Sequence, residues 1–151
     1  MTAKLIRSAR LNLFYGIALI LTALAAFFGE LLSTINYYNN LPDAGLEGLG
    51  VLVVIIYGGI FGIALLTFAI YNIISAKVCL HTASPGKAKT LTVISMITKV
   101  LSVAILLFYA YLMIDLYPDG IILKALYIIM ALWGLITVFT DISASKSTNN
   151  I

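Results

Sequence analysis

Apolar residues run almost unbroken through four stretches, 11–37, 49–74, 91–114 and 121–140, and polar residues gather in the short segments between them. Each stretch meets or exceeds the ~20 residues that a helix rising about 1.5 Å per residue needs to cross ~30 Å of hydrocarbon. Only helices and closed barrels satisfy every backbone group in lipid, and a barrel needs runs of about ten residues that alternate in polarity, which this chain lacks. The pattern predicts an all-α integral membrane protein: a four-helix antiparallel transmembrane bundle, up-down-up-down, with helices crossing at about 20°. Residues 1–142 make one four-span domain, and 143–151, rich in Ser, Thr and Asn, a flexible cytoplasmic tail. The second stretch is long enough to tilt or to extend beyond the hydrocarbon.

The breaks between stretches carry turn chemistry. Segment 38–48 holds Asn39, Asn40, Pro42, Asp43 and Gly45, and is too short for an external domain. Tyr117-Pro118-Asp119-Gly120 reads as a tight turn, in which proline presets φ, Asp119 caps the fourth helix and Gly120 tolerates unusual torsions, so spans three and four form a hairpin. Segment 75–90 is the longest loop expected. Its Ser84-Pro85-Gly86 separates two hairpins, and it is the main surface open to a cytoplasmic partner.

A hydrophobic fraction of 62% with 10% charged residues lies far from the soluble average of roughly 45–50% and 25%, so lipid is the expected solvent. The formal net charge of +3 would raise nucleic acid as a partner in a soluble chain, but here the charges flank the spans and read as topology signals. No nucleic-acid partner is expected. Seven of the nine basic residues, Lys4, Arg7, Arg10, Lys77, Lys87, Lys89 and Lys146, fall on one side. The other side has Asp43, Glu47, Asp115 and Asp119, with Lys124 as its nearby base. The positive-inside rule then puts both termini and the middle segment in the cytoplasm. The start resembles a signal peptide ending at Ala23-Leu24-Ala25, but its apolar run continues through Phe28 and Leu32, beyond the ~7–15 residues of such a segment, so an uncleaved first helix is expected. Small size and short external segments point to the plasma membrane of a prokaryote.

The lone Cys79 excludes an internal disulfide, a CxxC pair and a cysteine zinc cluster, and His81 has no partner at metal-ligand spacing. Neither a metal nor a cofactor is expected. No Ser/His/Asp set or paired carboxylates appear, so the chain is read as a non-enzyme.

Two ionisable residues fall inside spans, Glu30 and Lys99, where a charge costs about 2.5–3.5 kcal/mol on insertion scales. One reading makes Glu30 a titrating or cation-binding carboxylate and Lys99 its counter-charge, with Ser95, Ser102 and Tyr109 lining an ion or proton route. The plainer reading lets each reach an interface, or joins the two as a bridge setting the register of spans one and three. Thr92, Ser95, Lys99 and Ser102 recur at steps of three and four, on a face continuing through Leu106 to Tyr109. Thr22, Ala26, Glu30 and either Ser33 or Thr34 do likewise in span one. Small-residue ladders, Ala25-xxx-Gly29-xxx-Ser33 and Gly58-xxx-Gly62, allow close helix packing. Tyr37, Tyr38, Tyr109, Tyr111, Tyr117 and Tyr127 are expected to form an outer aromatic belt. The function expected first is a non-catalytic plasma-membrane protein that self-associates or serves as accessory subunit of a transport or secretion complex. The alternative is a small ion- or proton-coupled transporter or channel using Glu30 and Lys99.

Overall fold

The computed structural model describes residues 2–40, 47–116 and 121–147. They form four helices, α1 (Ala3–Asn39), α2 (Glu47–His81), α3 (Pro85–Leu116) and α4 (Ile121–Ser147). Each is long and apolar enough to cross a membrane. Large apolar side chains lie exposed along all four, including Phe14, Leu32, Ile63, Phe108, Ile129 and Phe139. A surface of that kind is too extensive for water and fits a lipid solvent. The chain is a multi-pass helical membrane protein.

The helices outrun the spans expected from hydropathy. Segment 75–90, expected as the longest loop, contracts to residues 82–84, and residues 143–147, expected in a frayed tail, continue α4. Polarity ends a hydrophobic span but not a helix, since Lys, Ala and Leu are good helix formers in water as well as in lipid. What does stop α2 and start α3 is local chemistry. Pro85 occupies the first position of α3, where its missing N–H costs nothing, and the Ser84 hydroxyl accepts from the Lys87 amide at 3.5 Å. The Thr2 hydroxyl caps α1 in the same way, accepting from the Leu5 amide at 3.4 Å. The expected loop around Pro42, the expected turn Tyr117-Pro118-Asp119-Gly120, with its belt residue Tyr117, and residues 148–151 lie outside the described residues.

Every helix packs on its neighbours in sequence, and α4 returns to α1. Helices α1 and α3 also touch across the centre, whereas the backbones of α2 and α4 do not come close among the described residues. Contacts along neighbouring helices run in opposite sequence order. Gly16 of α1 meets Ile73 of α2, and Gly58 of α2 meets Phe27 of α1. Phe61 of α2 packs against Tyr109 of α3 with tilted rings, and Cys79 lies against Ala88. The main core draws on all four helices, with Tyr15, Leu19, Leu65, Leu106, Tyr109, Met113, Tyr127 and Met130 among its members. A second cluster of Leu5, Ala9, Cys79, Ala88 and Ala144 closes the end that carries the basic segments of α1, α2, α3 and α4.

The predicted packing faces are only partly those used. Thr92, Ser95, Lys99, Ser102, Leu106 and Tyr109 are all buried, as are Thr22, Ala26, Glu30 and Thr34. Ala25, Gly29 and Ser33 are half-buried beside that face. Gly29 receives Leu123 of α4, whose Cδ1 would lie 2.9 Å from an added Cβ, and Gly58 lies against Phe27. A Cβ at Gly62 would meet nothing within 4 Å, so the Gly58-xxx-Gly62 step seats no neighbour at its second glycine. The closest approach on α4 is instead at Gly134, where a Cβ would lie 2.6 Å from Val103 Cγ2 and 2.8 Å from the Tyr15 hydroxyl. Gly134→Leu is expected to destabilise the bundle by about 1–3 kcal/mol through overpacking. Gly62→Ala is expected to leave stability unchanged or raise it by up to ~1 kcal/mol through helix propensity. Thermal unfolding of both variants in one detergent makes the comparison.

Candidate functional site

A polar network joins three helices near the basic end. Asp141 of α4 and Lys99 of α3 are each 0% exposed, and Lys99 Nζ lies 2.5 Å from Asp141 Oδ2. Asn12 of α1 bridges the pair: it accepts from Lys99 Nζ through Oδ1 at 2.6 Å and donates from Nδ2 to Asp141 Oδ1 at 3.1 Å. The Ser8 hydroxyl, one turn earlier on α1, donates to the same Asp141 oxygen. Ser8 and Asn12 reach one carboxylate because residues four apart share a helix face. Next to this set, the Ser102 hydroxyl donates to the Lys99 carbonyl at 2.8 Å. A serine hydroxyl has one hydrogen, so the Tyr15 hydroxyl 2.8 Å away donates to Ser102.

A second network lies at the opposite end. Glu30 of α1 is fully buried, and Lys124 Nζ of α4 approaches Oε1 at 3.4 Å and Oε2 at 3.5 Å. The Tyr127 hydroxyl, three residues along the same face of α4, donates to Glu30 Oε1 at 3.1 Å. Tyr109 of α3 packs against Tyr127 with ring centroids 5.3 Å apart and the planes tilted by 46°, and its hydroxyl has no hydrogen-bond partner among the described residues. Tyr109 and Tyr127, expected in an outer belt, are therefore core residues, whereas Tyr37 and Tyr111 are exposed.

The expected Glu30–Lys99 bridge does not form. Asn12, which holds Lys99, and Glu30 are eighteen positions apart on α1, which separates the two networks by ~27 Å along the helix. Each charge takes a counter-charge on α4 instead. Between the networks the bundle centre is filled by Leu19, Leu106, Met130 and Ala131, all buried and apolar. Of the route residues, Lys99 and Ser102 share the first network with Ser95 buried one turn away, while Glu30 and Tyr109 belong to the second region. Helix α2 contributes to neither ion pair.

Sequence reasoning missed Asp141, Asn12, Ser8 and the pairing role of Lys124. A signal was present for the two charges: Lys124 is a base on the acidic side and Asp141 an acid beside the basic segments, each opposite in sign to its neighbourhood. Such a residue gains nothing from the interface and is stabilised by turning inward to a partner. No family model, curated protein or solved structure matches the chain. The chemistry of the two networks is electrostatic: four buried charges neutralised in two pairs, each pair tying α4 to another helix. Among the described residues no three His, Cys, Asp or Glu side chains group as a metal site.

The two tyrosines offer a test of this geometry. Tyr127→Phe removes a bond to a carboxylate and should cost about 1 kcal/mol. Tyr109→Phe removes an unpartnered hydroxyl and should leave stability unchanged or slightly raised. Paired thermal melts of the two variants check the contrast.

Proposed function

We propose that this protein is a small non-catalytic subunit of a prokaryotic plasma membrane, crossing it up-down-up-down with both termini in the cytoplasm, and that it self-associates or serves a larger transport or secretion complex. The observation that carries this reading is the internal neutralisation of Glu30, Lys99, Lys124 and Asp141 by one another. Charges arranged that way hold helices in register and leave the outer surface for contacts with lipid or protein. The gathering of basic residues at one end supports the orientation. Helix α2 supports a partner role, because it enters neither pair and has Gly59 and Gly62 with open space where a Cβ would sit. A second copy or another helix could approach there closely.

The alternative, a transporter or channel through Glu30 and Lys99, has less support, because the apolar layer of Leu19, Leu106 and Met130 lies between its two key residues. In-membrane cross-linking with pull-down from native membranes tests the main reading. Association is expected, and Gly59→Leu with Gly62→Leu should weaken it without lowering the melting temperature. A monodisperse monomer that brings down no partner would overturn the subunit role. Proteoliposome flux abolished by Glu30→Gln or Lys99→Met would favour the transporter.

A further inference from the structure

At the basic end, the last turns of α2 and the first turn of α3 border an open, shallow cavity of about 510 Å³ lined by Lys77, Val78, His81, Thr82, Ala83 and Lys87. Three basic side chains converge on it from two helices, and no carboxylate lines it. Lys77 and His81 are four apart on one face of α2, and Lys87 faces them across the three-residue connection. Neither lysine has an ion pair among the described residues. The His81 ring is oriented by its own helix: Nδ1 lies 2.7 Å from the Lys77 carbonyl and donates to it. Nε2 of the neutral ring is then an acceptor, open to a hydroxyl of a ligand.

The surroundings distinguish a lipid from a dissolved anion. Below the cavity, Ile70, Ile74 and Val78 continue the Lys77–His81 face of α2 toward the membrane centre, and Ile94 and Ile97 continue the Lys87 face of α3. All five are exposed. A basic head above two apolar rails has the polarity profile of a phospholipid: phosphate at the interface, acyl chain along the helices. We propose that this cavity binds the phosphate of an anionic phospholipid headgroup, with Lys77 and Lys87 as its donors, His81 Nε2 accepting from a headgroup hydroxyl, and the α2 and α3 isoleucines against the acyl chain. The site is independent of what the bundle assembles with, and of whether it conducts anything.

The test is native mass spectrometry and lipid titration of the full-length protein in a neutral detergent, with phosphatidylglycerol, phosphatidylcholine and inorganic phosphate as probes. Phosphatidylglycerol is expected to bind more tightly than phosphatidylcholine, and millimolar phosphate to leave that binding unchanged. Removing a surface lysine weakens attraction to anionic lipid about fivefold, so Lys77→Gln with Lys87→Gln should weaken it about 25-fold. The charge-matched control, Arg10→Gln with Lys146→Gln, removes two basic residues of the same end outside the cavity, where salt screens them from a lipid seated in it, and should change it by less than about twofold. Equal losses in the two double variants would overturn the proposal in favour of diffuse charge attraction. So would equal affinity for the two lipids. Phosphate that binds as tightly as the lipid would reassign the cavity to a free anion and overturn the lipid assignment.

Discussion

Asp141→Ala is expected to be the most damaging single substitution in the bundle, at about 3–5 kcal/mol, because it leaves Lys99 buried without a counter-charge. It also removes the acceptor of Ser8 and Asn12, so three helices lose their common anchor at once. Lys99→Met is expected to cost somewhat less, since Asp141 keeps both α1 donors. Replacing both charges, Lys99→Met with Asp141→Leu, should recover part of the loss, because an apolar pair of similar volume requires no desolvation while Ser8 and Asn12 still lose their partners. Unfolding free energies of Lys99→Met, Asp141→Leu and the double variant, measured in one detergent with the unsubstituted protein, close the cycle. A double variant as unstable as the sum of the single ones would show that the pair is not a unit. The same measurement applied to Glu30→Gln and Lys99→Met should give additivity within ~0.5 kcal/mol, since ~27 Å of helix and an apolar layer separate them.

Lys124→Met is expected to act locally and strongly, costing about 3 kcal/mol, because Glu30 is then a buried carboxylate with Tyr127 as its remaining donor. The contact joins the late part of α1 to the first turn of α4, next to where Leu123 covers Gly29. Its loss should release the start of α4 before the rest of the bundle. Hydrogen exchange should therefore quicken in residues 121–127 while protection around Asp141 is kept, as expected for an opening confined to one end. The exchange of charges, Glu30→Lys with Lys124→Glu, should restore part of the protection. Uniform loss along α4 in the single variant would instead indicate that the two networks act as one cooperative unit.

The fold was legible to the extent that it depends on sums over segments. Four apolar stretches announced four helices, and the steps Ser95, Lys99, Ser102 and Thr22, Ala26, Glu30 marked the inward faces of α1 and α3, because a helix repeats every 3.6 residues whatever surrounds it. Helix ends were less legible: Lys77, Lys87 and Ser143 lie in helices although they fall outside the apolar stretches. Hydropathy registers the solvent, whereas helix ends follow caps such as Ser84 and Pro85.

The partners of the buried charges were not legible. The sequence places Glu30 and Lys99 inside spans, and their opposite signs suggest one bridge. Which charge meets which depends on the rotation and axial offset of packed helices, and those follow from contacts far apart in the chain: Tyr15 over Gly134, Leu123 over Gly29, Phe27 over Gly58. With α4 seated against α1 in that register, Asp141 arrives beside Asn12 and Lys99, and Lys124 beside Glu30. Membrane insertion depends on the composition of each span and can be read locally; the pairing of charges is a non-local outcome of side-chain packing, and only the assembled bundle decides it.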